Sequence, residues 1–156
     1  MIRRLVPDTR FALRVLTTIA DLPDHPRHPG LSWDQTFYRT VDVEEVVHAD
    51  NGAPVCRTAL CFAGWVVQLD PDVDWAYDTM TLRTRHLTDD TVRPPVRLEW
   101  DLTTAVDLAT GLRLHAHEYA ERRLGLSHVQ AGALFLGSNS IDDLADVIGR
   151  IGRGQL

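Results

Sequence analysis

Residues 56–70 read CRTALCFAGWVVQLD, and the nine positions from Ala59 to Val67 carry no charge. No choice of face separates water from oil in such a run. A helix built from it belongs in the middle of a fold, covered on all sides. Thr58 is placed to cap a helix over 58–69. Gly64 inside that helix costs about 1 kcal/mol relative to Ala, which makes sense where another backbone packs closely. The run is far too short to span a bilayer, which needs about 20 apolar residues.

The segments around this run read as amphipathic or alternating. In TRFALRVLTTIAD, Phe11, Val15 and Ile19 recur at four-residue spacing, Asp8 can cap, and Pro23 stops the chain, giving a helix over 9–21. In LSWDQTFY, Ser32 is placed to cap a short helix through Trp33 and Phe37. Residues 38–55 fit strand or helix equally. DPDVDWAYD reads as a solvated acidic loop. TMTLRTRH and VRLEWDL alternate and are expected to pair antiparallel across the long loop TDDTVRPP.

The last third is punctuated by caps. One helix is expected over 112–124, ending at Gly125. Ser127 with Gln130, and Ser140 with Asp143, form two capping-box arrangements that start the next two helices. Val129, Ala133, Leu134 and Leu136 are expected to bury against Leu144, Val147, Ile148 and Ile151. The expected architecture is a single α+β, mainly α, domain over 1–156. It has a central apolar helix, a C-terminal three-helix unit and a small antiparallel β hairpin.

The three words WDQ (33–35), CRTALCFAGW (56–65) and LGLSHVQAGALF (124–135) stand in a recognisable order. They resemble the motifs of an uncharacterised family of small proteins encoded by actinobacteria and their phages. Members of that family read W-D-Q, C-G-T-x-x-C-x-A-G-W-A and L-G-L-x-x-x-Q-A-x-x-L-F. Arg57 replaces the family's usual Gly and Val66 its Ala; the change at 57 counts against a close approach of that backbone to a ligand. All 16 basic residues are Arg, consistent with a GC-rich source. The resemblance implies a shared helical core and a phage or actinobacterial origin, and it brings no activity with it.

Chemistry-bearing residues are sparse. Cys56 and Cys61 are the two cysteines, and their C-x4-C spacing is not a usual zinc pattern. Apolar neighbours argue for a buried, inert Cys61; both thiols remain the candidates if the chain is a cysteine-dependent enzyme. His115 and His117, placed at a helix start, do not face each other, so no metal is expected there. Asp70, Asp72 and Asp74 lack the Gly and Glu that complete a calcium loop. No cofactor is expected.

The helix–LGLS–helix stretch at 113–136 has the outline of a DNA-binding helix-turn-helix. Its second helix carries no Arg, however, and Glu121 stands where a small residue is usual. Residues 113–156 balance five Arg against five acids, and the chain's formal net charge is −6; a phosphate-binding footprint should be basic. A local basic patch is still compatible with these totals. The expected function is a non-enzymatic, phage- or prophage-type accessory protein that acts in the cytoplasm by binding a host or phage protein. Trp33, Asp34, Gln35 and Trp75 are the candidate interaction residues. A DNA-binding regulator and a cysteine-dependent enzyme are the alternatives.

Overall fold

Phe62–Leu69 forms the helix around which the other described elements are arranged. The computed structural model describes residues 6–22, 31–35, 38–42, 58–86 and 96–156. Among these the helices are α1 (Thr9–Ala20), α2 (Phe62–Leu69), α3 (Ala116–Arg123), α4 (His128–Leu134) and α5 (Ile141–Gly152). The strands are β1 (Leu31–Trp33), β2 (Thr40–Asp42), β3 (Thr58–Leu60), β4 (Val73–Trp75), β5 (Thr81–His86), β6 (Val96–Asp101), β7 (Thr104–Asp107) and β8 (Arg113–His115). The class is α+β, with helix predominating.

Phe62, Trp65 and Val66 in α2 are each 0% exposed. Helices α1 and α3 and strands β3 and β4 pack around α2. Gly64 is explained by the close approach the sequence called for. A Cβ there would lie 1.8 Å from the Tyr38 carbonyl oxygen, so the chain at Tyr38 crosses the helix with no room for a side chain.

The first turn of the expected 58–69 helix is instead strand. Thr58–Leu60 lies between β1, which it meets in parallel, and β2, which it meets antiparallel. Cys61, not Thr58, is the cap, its sulfur accepting the Gly64 N–H at 3.5 Å. The expected β5–β6 pair is present, with Leu82 opposite Trp100, and it belongs to a five-stranded sheet of order β1-β3-β2-β6-β5. Leu31–Trp33 is strand where a Ser32-capped helix was expected. The expected 112–124 helix begins only at Ala116, because Arg113–His115 pairs with β7 in a second sheet, β4-β7-β8. Phe37, residues 43–55, Cys56 and the 87–95 loop lie outside the described residues.

Local signals at the other ends behave as the sequence indicates. Asp8 caps α1 by accepting the Phe11 N–H at 2.9 Å. Both capping boxes form, at Ser127/Gln130 and Ser140/Asp143. In the LGLS turn, Leu124 and Leu126 are buried and Leu124 O accepts the Asp8 N–H. Gly125 between them has φ +62°, and a Cβ there would also press on Val6 O at 2.8 Å. Helix α4 buries Ala131 and Leu134 against the core, while Val129 is 70% and Leu136 55% exposed. The expected four-residue apolar face is therefore only partly realised. A helix of two turns offers α5 one narrow stripe, and Val129 lies on its far side.

Two substitutions test this core by urea denaturation. Phe62→Ala is expected to cost about 3–5 kcal/mol, and Gly64→Ala at least about 3 kcal/mol through collision with the Tyr38 backbone. A loss below about 1 kcal/mol for either contradicts the central placement of α2.

Candidate functional site

An apolar helix that starts inside a core must satisfy its first N–H groups without water. Gln35 does this for α2: its Oε1 accepts the Phe62 N–H at 3.0 Å and the Trp33 indole N–H at 3.2 Å. Its Nε2 donates to Leu134 O, at the end of α4, at 3.2 Å. Asn139 Nδ2 also donates to Leu134 O, at 3.1 Å. Gln35, 8% exposed, thus joins all three of the sequence words. Of the expected interaction residues, Gln35 and Trp75 (4% exposed) point inward and hold the fold, while Trp33 and Asp34 are half-buried.

Cys61 is buried beside the start of α2. Burial pushes its thiol up to about 11, against the opposing pull of the Gly64 and Ala63 N–H groups. At neutral pH it is a protonated cap, a poor nucleophile. The Tyr38 hydroxyl is likewise raised, by burial first and then by Cys61 and Asp101. His115 ends β8 and caps α3, its Nδ1 accepting the His117 N–H at 3.3 Å. Its ring lies edge-on to Tyr38 at 4.6 Å, whereas the His117 ring lies edge-on to Phe135 at 4.9 Å. The two imidazoles therefore serve different aromatic partners. Among the described residues no group of three or more His, Cys, Asp or Glu could hold a metal ion.

The acidic loop is not simply solvated. Val73–Trp75 is strand, with Val73 and Trp75 buried. Asp70 caps the C-terminal end of α2, and its side chain is 4% exposed. Its Oδ1 accepts the Asp72 N–H. Its Oδ2 takes the Tyr119 hydroxyl at 2.9 Å and Arg123 Nε at 2.5 Å. Arg123 Nη1 reaches Asp8 at 3.2 Å. One guanidinium thereby ties the end of α2, the end of α3 and the start of α1. Burial opposes ionisation of Asp70, but the Asp72 amide, the Tyr119 hydroxyl and Arg123 together hold its carboxyl below the usual range. Tyr119 is raised, by burial first and then by that carboxylate.

The same corner opens into a groove of about 450 Å³ lined by Asp8, Arg10, Phe11, Arg14 and Arg123. Arg14 and Arg123 both stack on the Phe11 ring, at 4.5 and 4.2 Å from its centroid. Arg10 and Arg14 are exposed and one helical turn apart. Neither makes an ion pair among the described residues, whereas Arg123 is paired with both Asp8 and Asp70. This is a local basic patch on an acidic chain, and sequence spacing did not single it out. Its members come from position 8–14 and position 123, and only the folded α1–α3 junction brings them together.

Compared with family models, curated proteins and solved structures, the chain matches none.

Two measurements test this chemistry. Because the folded carboxyl of Asp70 titrates below its unfolded value, its contribution to stability is complete above about pH 4. It is lost as pH falls through the lower folded value. Asp70→Asn is expected to cost about 2 kcal/mol at pH 7, with the gap from wild type closing in acid. A gap that stays constant down to the acid transition contradicts the network. For Cys61, a Cys56→Ser variant is expected to react with a thiol reagent at pH 8 no faster than it unfolds. Immediate stoichiometric labelling of the folded variant would restore the cysteine-enzyme reading.

Proposed function

We propose that this protein is a non-enzymatic accessory protein of phage or prophage type that acts in the cytoplasm by binding another protein of phage or host origin. The observation that carries the reading is the groove at the α1–α3 junction. It presents guanidinium groups that make no ion pair among the described residues, on a helix fixed at its start by Asp8 and Arg123. Arginines on a fixed helix suit a recognition surface, since Arg is enriched at interfaces and loses little freedom per bond formed. The resemblance of the three sequence words to actinobacterial and actinophage proteins supports the origin. The raised thiol of Cys61 weighs against the cysteine-dependent alternative. No helix among the described residues is long and apolar enough to cross a membrane.

The helix-turn-helix alternative is disfavoured by what its residues already do. Gln130 Oε1 caps the Ser127 N–H at 2.8 Å and its Nε2 donates to Leu156 O at 2.7 Å, so its amide is engaged within the chain. Arg123 is bound to two carboxylates and Arg122 to Glu118. The test is affinity capture from an actinobacterial lysate, followed by reconstitution of any captured protein with the purified chain. Co-elution as a complex of fixed stoichiometry is the expected result, with no sequence-dependent shift of duplex DNA at near-physiological salt. Failure to capture and reconstitute any partner, or DNA binding that Arg122→Ala abolishes, overturns it.

A further inference from the structure

Arg10 and Arg14 stand four residues apart on α1, which sets their Cβ atoms about 5–6 Å apart on one face. Arg14 is further confined by stacking on Phe11, and Arg123 closes the groove from α3. Arg123 spends Nε on Asp70 and Nη1 on Asp8, whereas Arg10 and Arg14 make no ion pair among the described residues. A guanidinium is a planar fork that matches a carboxylate bidentately. Two arginines whose Cβ atoms lie at this separation can each meet one carboxylate on alternate residues of an extended chain, about 6–7 Å apart.

Resting on the binding-protein reading above, we infer that the groove recognises an acidic segment of the partner protein, an extended stretch with acidic residues at alternate positions, with Arg10 and Arg14 each taking one carboxylate. A long polyanion fits less well. The groove is confined to one corner of a chain of net charge −6, and a duplex carries its charge past that corner onto the acidic remainder. The Asp8 wall, held by Arg123 and the Phe11 N–H, limits how far anionic charge can extend along α1.

The test uses the full chain and a short fluorescein-labelled peptide of alternating Glu and Gly, with a Gln and Gly peptide as control, read by fluorescence anisotropy at low and near-physiological salt. The acidic peptide is expected to bind and the control not. Affinity should weaken about tenfold or more when both arginines are replaced, Arg10→Gln with Arg14→Gln. A charge-matched double variant, Arg113→Gln with Arg150→Gln, should retain binding. Equal melting temperatures for the variants show that fold is not the cause. The inference is overturned if the matched variant loses as much affinity as the groove variant, or if the groove variant loses none. It is also overturned if inorganic phosphate at equal concentration displaces the peptide, or if duplex DNA binds more tightly than the peptide. A reconstituted partner complex that survives Arg10→Gln with Arg14→Gln sinks the groove inference and leaves the binding-protein reading standing. Peptide binding without any lysate partner does the reverse.

Discussion

A helix with no polar face can start only where something inside the protein accepts its first N–H groups. For α2 those acceptors are the Gln35 amide oxygen, on Phe62, and the Cys61 sulfur, on Gly64. Leaving a buried amide unpaired costs about 1–3 kcal/mol, so the place where α2 begins is fixed by where Gln35 can be. Gln35 in turn lies two residues past β1, which runs parallel to β3, and β3 leads into α2. The amide's other end fastens Leu134 O and with it the end of α4. One side chain thus ties the segment after β1 to the start of α2 and to the end of α4. The close passage of Tyr38 over Gly64 follows a few residues later on the same chain segment.

What could be read from the sequence was what is decided locally. The α1 cap at Asp8 and the boxes at Ser127 and Ser140 need only residues three apart, and each formed as the spacing indicates. The β5–β6 pair is long enough to show alternation. Strands of three residues, such as β1, β3, β4 and β8, contain barely one period of the two-residue repeat. Their signal is lost among helix-compatible residues. Thr58 illustrates this: a β-branched residue before Ala-Leu-Cys serves equally as a cap or as a strand residue. Tertiary pairing with β1 and β2 made it strand and moved the helix start to Phe62. The role of Asp70 is hidden for a related reason. Nothing near it in sequence reveals that Tyr119 and Arg123 will meet it.

Electrostatics at the α1–α3 junction follows from an unequal share-out. Acids outnumber bases along the chain, 22 to 16, yet the carboxylates close to the junction are committed to Arg123. That arginine is the one whose partners are partly withdrawn from water, where a charge most needs company. Arg10 and Arg14, in water, make no ion pair among the described residues. The structure thus uses Asp8 and Asp70 for cohesion between helices, through Arg123. A net negative chain presents a positive corner because burial, not sequence distance, decides which charges pair.

The three sequence words have a physical reason to occur together, and it is not the groove. Trp33 and Gln35 of the first, Cys61, Phe62 and Gly64 of the second, and Leu134 of the third meet at the start of α2. Phe62 and Phe135 stack there at 6.4 Å. Gly125, Leu124 and Leu126 make the corner against the segment before α1. Each of these residues is occupied with closing the core. Arg10 and Arg14 lie outside all three words, on the exposed side of a helix whose buried side is Phe11, Val15 and Ile19. A chain that keeps the words but carries other residues at 10 and 14 therefore keeps the fold and loses the positive corner. Likeness in these words speaks for architecture. What the protein binds is decided by side chains that the architecture leaves free.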